Sequence, residues 1–253
     1  MKLLLLGGTS DAIRVCNLLL SDGYKVIYSI KGLVRQPQLN CEIHSGGFGG
    51  VQGLIHFIQQ QRIDYILDAT HPYAVQMSQH AQLAASYYKL PCLHYQRPAW
   101  QQQPADQWVY FDTLSQLSPL LVRNNNKRAV FLFSIGQLSP TWVADKFPQH
   151  LYIIRSVLGV TFTLPNNVIW IKNRGPFTLE DEYQLFSRYQ VNALISKNSG
   201  GTSVAAKIHI AQQMQLPVYM LRRPHFESCY PIFDSIFDSI NAVMRYDMGN
   251  FVV

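Results

Sequence analysis

The sequence predicts an α/β protein with two halves, each built on a parallel sheet. Three observations lead there. Short apolar runs alternate with amphipathic segments from end to end, the pattern of repeated βαβ units. The glycine and polar clusters fall just after apolar runs, at what would be the carboxyl ends of strands, where open parallel sheets bind ligands. A chain of 253 residues that is 48% hydrophobic, 12% aromatic and 14% charged can bury a substantial core, or two, and carries too much apolar surface to stay disordered.

The elements follow in order. Residues 2–6 (KLLLL) form an apolar run of strand length, buried on both faces. Residues 10–21 put Ala12, Val15, Cys16, Leu19 and Leu20 on one stripe at helical spacing, with Ser10 as N-cap. Strands are expected at 24–30, 42–44, 65–68 and 92–95, with helices at 51–62 and 74–88 between them. Residues 96–106 hold two prolines and four glutamines and read as a crossing segment. The pattern then restarts. Strands are expected at 109–111, 129–133, 152–154, 168–171, 193–196 and 218–221, and helices at 113–123, 139–146, 178–189 and 202–214. A final amphipathic helix runs over about 233–245. The expected architecture is two Rossmann-like parallel-sheet halves facing across a cleft, residues 1–100 and 101–253.

The net charge of +6 suits an acidic partner. Its Lys and Arg residues are scattered singly, which argues against duplex nucleic acid. The longest N-terminal apolar run covers only residues 3–6, and no stretch approaches 18 apolar residues, so neither a signal segment nor a membrane span is expected and the protein is placed in the cytoplasm. The four cysteines, at 16, 41, 92 and 229, make no CxxC pair and no metal-ligand spacing with the eight histidines; they read as reduced thiols, with no metal site.

Gly7-Gly8-Thr9-Ser10 follows the first strand and opens a helix, an arrangement that presents backbone N–H groups and a positive dipole end to a phosphate. Its other reading is a plain strand-to-helix turn, and Asp11 in the first turn competes with an anion. The loop Gly46-Gly47-Phe48-Gly49-Gly50 adds four glycines in five positions and supports close approach of a nucleotide. No Asp or Glu occurs from Tyr24 through Asn40, where an acid would take a ribose 2′-hydroxyl. Ser29, Lys31 and Arg35 stand there instead and favour a 2′-phosphate, hence NADPH with NADH as the alternative. In Asp68-Ala69-Thr70-His71-Pro72, Pro72 suits a first helical turn, Thr70 becomes a cap, His71 projects from the strand end, and Asp68 orients it or caps backbone N–H groups. The first half is thus expected to bind a dinucleotide through Gly7, Gly8, Thr9, Ser10, Ser29, Lys31, Arg35, Gly46, Gly47, Phe48, Asp68 and Thr70. In the second half, Lys197 and the Ser199-Gly200-Gly201-Thr202 turn form a second anion cradle, and Arg174 and Arg222 are candidate carboxylate clamps.

Taken together, GGTSDA at 7–12, GGFGG at 46–50, DATHPY at 68–73, RP.W at 97–100, RGPF at 174–177, SKNSGGT at 196–202 and RRP at 222–224 resemble the precorrin-6A reductase family of cobalamin biosynthesis, over nearly the whole chain. Asn198 stands where many members carry an acidic residue, and Ser10 where glycine is frequent. The resemblance implies a two-domain NAD(P)H-dependent enzyme that reduces the precorrin-6A macrocycle, or its cobalt-containing counterpart, to the 6B form. A hydride passes from the nicotinamide to a ring C=C/C=N system and a proton completes the reduction. On that reading the candidate catalytic residues are His71, Lys197 and Thr70, the substrate is a polycarboxylate tetrapyrrole, and other cobalamin-pathway enzymes are candidate partners. Two rivals stand beside it. One is a dinucleotide-binding sensor without catalysis. The other is a short-chain-type reductase or epimerase, which would need a helical Tyr-x-x-x-Lys that the first half lacks.

Overall fold

A computed structural model describes residues 1–32, 36–122, 128–136, 147–160 and 163–247. The chain divides into two compact units, and each is described by itself. The first comprises Met1–Pro98 together with the chain from Pro224 onward; the second is Ala99–Arg223.

In the first unit, β1 (Lys2–Leu6), β2 (Lys25–Ile30), β3 (Glu42–Ser45), β4 (Tyr65–Asp68) and β5 (Cys92–Tyr95) alternate with α1 (Ser10–Ser21), α2 (Val51–Gln61) and α3 (Val75–Tyr88). With β12 (Ile232–Phe233) the sheet order is β12-β5-β4-β1-β2-β3, with every pairing parallel. Read from the β3 edge this is the doubly wound order 3-2-1-4-5-6, which reverses between β1 and β4. The apolar run of β1 serves both faces. Leu3 and Leu5 pack with Ala12, Val15 and Leu19 of α1, whereas Leu4 and Leu6 pack with Leu54 and Ile58 of α2 and Ala81 and Ala84 of α3. A period of two in a strand covered on both sides gives an unbroken hydrophobic sequence.

The sixth strand of this sheet, β12 (Ile232–Phe233), pairs with His94 and Tyr95 of β5. It leads into α7 (Ile236–Asp247), whose Ile240, Ala242 and Val243 join the Leu3/Leu5 core. The chain after Pro224 therefore completes the first unit, rather than belonging to a second domain running 101–253. Without α7, one face of the sheet would lack part of its apolar cover. The helix expected over 233–245 accordingly starts three residues late, behind a strand too short to show a pattern.

In the second unit, β6 (Gln107–Phe111) precedes α4 (Leu114–Val122), β7 (Val130–Ser134), β8 (Leu151–Ser156) and β9 (Val168–Lys172). Then come α5 (Leu179–Tyr189), β10 (Ala193–Lys197), α6 (Ala206–Gln213) and β11 (Pro217–Leu221). The order is β6-β11-β10-β7-β8-β9, again all parallel. Phe131 and Phe133 face Leu117 and Leu121 of α4, and Leu132 faces Phe186 of α5 and Ile210 of α6. The helix expected over 202–214 is divided. Thr202–Val204 is a 3₁₀ turn, and the Ser203 carbonyl is taken by the Phe177 N–H at 3.1 Å, which removes it from the helical ladder. The helix expected at 139–146, like Arg35, lies outside the described residues.

Candidate functional site

In the first unit the polar groups gather where the strand order reverses. Gly8 has φ +101° and open space at its Cα. Gly7 answers a different need: a Cβ there would lie 2.3 Å from the Tyr28 ring. The hydrogen bonds of the turn narrow its role. The Gly7 N–H donates to the Ser29 carbonyl at 2.8 Å, and the Gly8 N–H donates to the Tyr28 hydroxyl at 3.0 Å. Thr9, not Ser10, is the N-cap; its hydroxyl accepts the Ala12 N–H at 3.0 Å and donates to the Ala69 carbonyl at 3.2 Å. The groups left to meet an anion are the first-turn N–H groups of Ser10 and Asp11, which a helix leaves without carbonyl partners, and the exposed Ser10 hydroxyl. The N–H groups of Gly7 and Gly8 and the Thr9 hydroxyl are thus engaged in shaping the turn.

Asp11 does not repel an anion as its position suggested. Its carboxylate accepts from Arg97 Nη1 at 2.8 Å, both side chains nearly buried. Tyr95 stands beside this pair, its phenol pushed up to about 12 by burial first and then by the Asp11 charge. The RP.W segment therefore neutralises the first turn of α1.

Beyond β2, Lys31 is exposed, while Ser29 lies buried within the strand, so its hydroxyl is not presented at the strand end as expected. Gly46 and Gly47 have open space at their Cα atoms. Phe48 is a packing residue: it stacks on His44 with centroids 4.7 Å apart and meets Phe57 edge-on.

At the end of β4, Asp68 is fully buried and orients His94, not His71. His94 Nδ1 lies 3.0 Å from Asp68 Oδ2, the Ser78 hydroxyl donates to the same oxygen, and the Thr70 N–H donates to Oδ1 at 2.9 Å. Burial alone would raise the Asp68 carboxyl; the hydrogen bond from His94 first, and then those from Ser78 and Thr70, outweigh it and hold it below its usual range. His71 Nδ1 instead accepts the Tyr73 N–H at 3.3 Å. Neither Thr70 nor Pro72 starts the next helix. Residues 71–74 form a turn closed by Ala74 N–H to the His71 carbonyl at 2.7 Å, and α3 begins at Val75. Thr70, His71 and His94 are nevertheless together, lining one small cavity.

In the second unit, Lys197 ends β10, with burial lowering its ammonium pKa. Ser199, Gly200 and Gly201 follow it, and Thr202 opens the 3₁₀ turn. Asn198 is structural: it brackets Trp100, accepting its N–H at 2.8 Å and donating to its carbonyl at 3.0 Å. Arg222 follows β11, exposed and paired with Asp112 at 3.3 Å, its guanidinium over Tyr110. Arg174 follows β9, next to the cis Gly175–Pro176 bond. With Arg155 and Arg188 it lines a broad pocket of about 430 Å³. Lys197, Arg222 and Arg174 lie at the carboxyl edge of one sheet, but β11 and β9 are four strands apart, about 19 Å.

Three buried charged side chains in this unit escape the sequence reading: Arg155, Glu182 and Lys207. Arg155 donates to Glu182 at 2.8 Å, with Glu182 0% exposed. Lys207, 4% exposed, donates to the Ser134 hydroxyl at 2.9 Å beneath Trp100. Its ammonium is pushed down to about 7, first by burial and then by Arg155, with Glu182 opposing. A polar residue inside a helix's apolar stripe would have been the sequence signal, but α6, AKIHIAQQ, mixes polar and apolar residues without a clear stripe, so Lys207 does not stand out.

Among the described residues no cluster of His, Cys, Asp or Glu is placed to hold a metal ion, and no helix is long and apolar enough to cross a membrane. The four cysteines are free thiols.

A family profile described as "Precorrin-6x reductase CbiJ/CobK" matches residues 2–246. The chain belongs to this reductase family. A precorrin-6A reductase of Rhodococcus erythropolis is 32% identical over 242 residues, covering 94% of this chain and 96% of the relative. One from a Sinorhizobium species is 34% identical, covering 88% and 85%. A cobalt-precorrin-6A reductase of Priestia megaterium is 26% identical, covering 92% and 96%. Among solved structures, "CobK precorrin-6A reductase" superposes with a TM-score of 0.88 at 28% identity, covering 98% of this chain and 97% of that one. The α/β architecture of two six-stranded parallel sheets is that of the precorrin-6x reductases.

Proposed function

We propose that this protein reduces the precorrin-6A macrocycle to precorrin-6B at the expense of NADPH, as a cytoplasmic enzyme of cobalamin biosynthesis. The observation that carries the reading is a doubly wound sheet with an open, charge-neutralised helix start at its reversal point, in a chain that matches a reductase family over residues 2–246. The cobalt-free macrocycle is favoured because the relatives of higher identity bear that name.

The first unit fits a dinucleotide. Open space beside Gly8 admits a pyrophosphate, the N–H groups of Ser10 and Asp11 and the α1 dipole receive it, and Arg97 offsets the Asp11 charge. Gly46 and Gly47 permit close approach at the end of β3. Lys31, with no carboxylate near it in sequence, suits the 2′-phosphate. Bound NADPH would supply the hydride; the protein supplies position, charge and a proton.

The second unit takes the substrate. Arg174, Lys197 and Arg222, spread along one sheet edge, match carboxylates around the rim of a wide macrocycle, with the turn of Ser199, Gly200, Gly201 and Thr202 beside Lys197. Burial makes the Lys197 ammonium more acidic, and we assign it the proton. Thr70 and His71 remain on the cofactor side.

Purified protein incubated with precorrin-6A should consume NADPH in step with appearance of precorrin-6B. Tight NADPH binding without turnover would overturn the enzymatic reading in favour of a sensor.

A further inference from the structure

His94 is 4% exposed, and its Nε2 is buried with no hydrogen-bond partner. It lies in β5, directly opposite Asp68 in the parallel register. Because Asp68 accepts, Nδ1 carries the hydrogen of that bond, and in the neutral ring Nε2 is an acceptor. The ring is held by Asp68 and by the edge of Phe226 at 5.1 Å, and the His94 backbone is fixed by its pairing with Ile232 of β12. A buried acceptor left unpaired costs about as much as a lost hydrogen bond, so a ring locked this firmly implies a partner supplied from outside.

His94 lines the cavity that Thr70, His71, Ser78 and Gln96 also line. Its volume of about 20 Å³ holds one water or the tip of one small group, and no ring. Its place in the sheet narrows the choice. In the 3-2-1-4-5-6 order a dinucleotide would lie with its pyrophosphate over β1, one nucleotide toward β2 and β3, and the other toward β4 and β5. Lys31 claims the 2′-phosphate end for β2. The nicotinamide end then falls on the β4–β5 side, and its carboxamide is the group there with an N–H to give.

We propose that His94 is a cofactor-binding residue: Nε2 accepts the amide N–H of the nicotinamide carboxamide, and Asp68 acts as a positioning residue that fixes the tautomer. This rests on the assignment of a nicotinamide cofactor to the first unit.

The test is equilibrium binding of NADP⁺ and of its 3-acetylpyridine analogue, in which a methyl group replaces the amide nitrogen. The wild type should bind NADP⁺ about tenfold more tightly than the analogue, the loss expected when a buried acceptor goes unmet. In His94→Phe, which keeps a ring against Phe226, the two affinities should come within about twofold of each other. Equal affinities in the wild type would overturn the assignment, with Nε2 satisfied by water, yet leave the cofactor reading standing. A folded His94→Phe protein that still prefers NADP⁺ tenfold would overturn it as well. No binding of either ligand would overturn both readings.

Discussion

The two sheets share one strand order and obtain their sixth strand differently. In the second unit β6 precedes the other five and is local; in the first, β12 arrives only after the second unit has been traversed. Their reversal points differ in kind too. At β1/β4 Asp11 is matched by Arg97, Asp68 is held by hydrogen bonds from His94, Ser78 and Thr70, and what remains to meet a ligand is backbone N–H. At β7/β10 the side chains carry the charge: Lys207 and Arg155 face the single carboxylate Glu182. The first arrangement suits a phosphate held by a helix start, the second carboxylates met by side-chain cations.

The largest effect should come from breaking the charge balance of the second unit. Glu182→Leu leaves Arg155 and Lys207 uncompensated in the interior and should cost about 3–5 kcal/mol in urea unfolding, with much of it restored by Arg155→Met in the same chain. Asp11→Ala in the first unit, at a pair about a tenth exposed, should cost less, about 2 kcal/mol.

Lys207 gives the comparison a pH signature. Its folded pKa lies below its unfolded value, so the unfolded chain binds the extra proton between about 7 and the ordinary lysine range, and stability rises with pH across that window. Lys207→Met should flatten the rise. Asp68 in the first unit works oppositely. Its folded pKa is depressed, so its contribution is present above the ordinary carboxylate range and is lost as pH falls through the folded value. Asp68→Asn should blunt the acid limb of the stability curve.

Smaller effects concern ligands. Arg174→Ala should weaken substrate binding about tenfold, and Arg222→Ala less, because Arg222 already pairs with Asp112 at the surface. Lys31→Ala should lower NADPH affinity several-fold and leave NADH nearly unchanged, with the difference shrinking as salt is raised.

The architecture was legible because strands covered on both faces read as apolar runs; KLLLL and FLF in β7 are the clearest. The return of β12 was not, since two residues carry no periodicity and their pairing depends on β5. The position of the glycine and polar clusters at the carboxyl ends of strands was legible from their order after the apolar runs. How each group is committed was not, because those bonds span the chain: Gly8 to Tyr28, Thr9 to Ala69, Asn198 to Trp100. His94 left a trace: it is the one histidine inside the apolar strand CLHY, and YILD ends on its partner Asp68.

The division of labour between the sheets is tested most directly by titrating Lys31→Ala and Arg174→Ala, each with NADPH and with precorrin-6A. The expected result is a crossed pattern, in which Lys31→Ala loses affinity for NADPH alone and Arg174→Ala for precorrin-6A alone. Loss of NADPH affinity in Arg174→Ala, with Lys31→Ala unaffected, would place the cofactor on the second sheet and contradict the account.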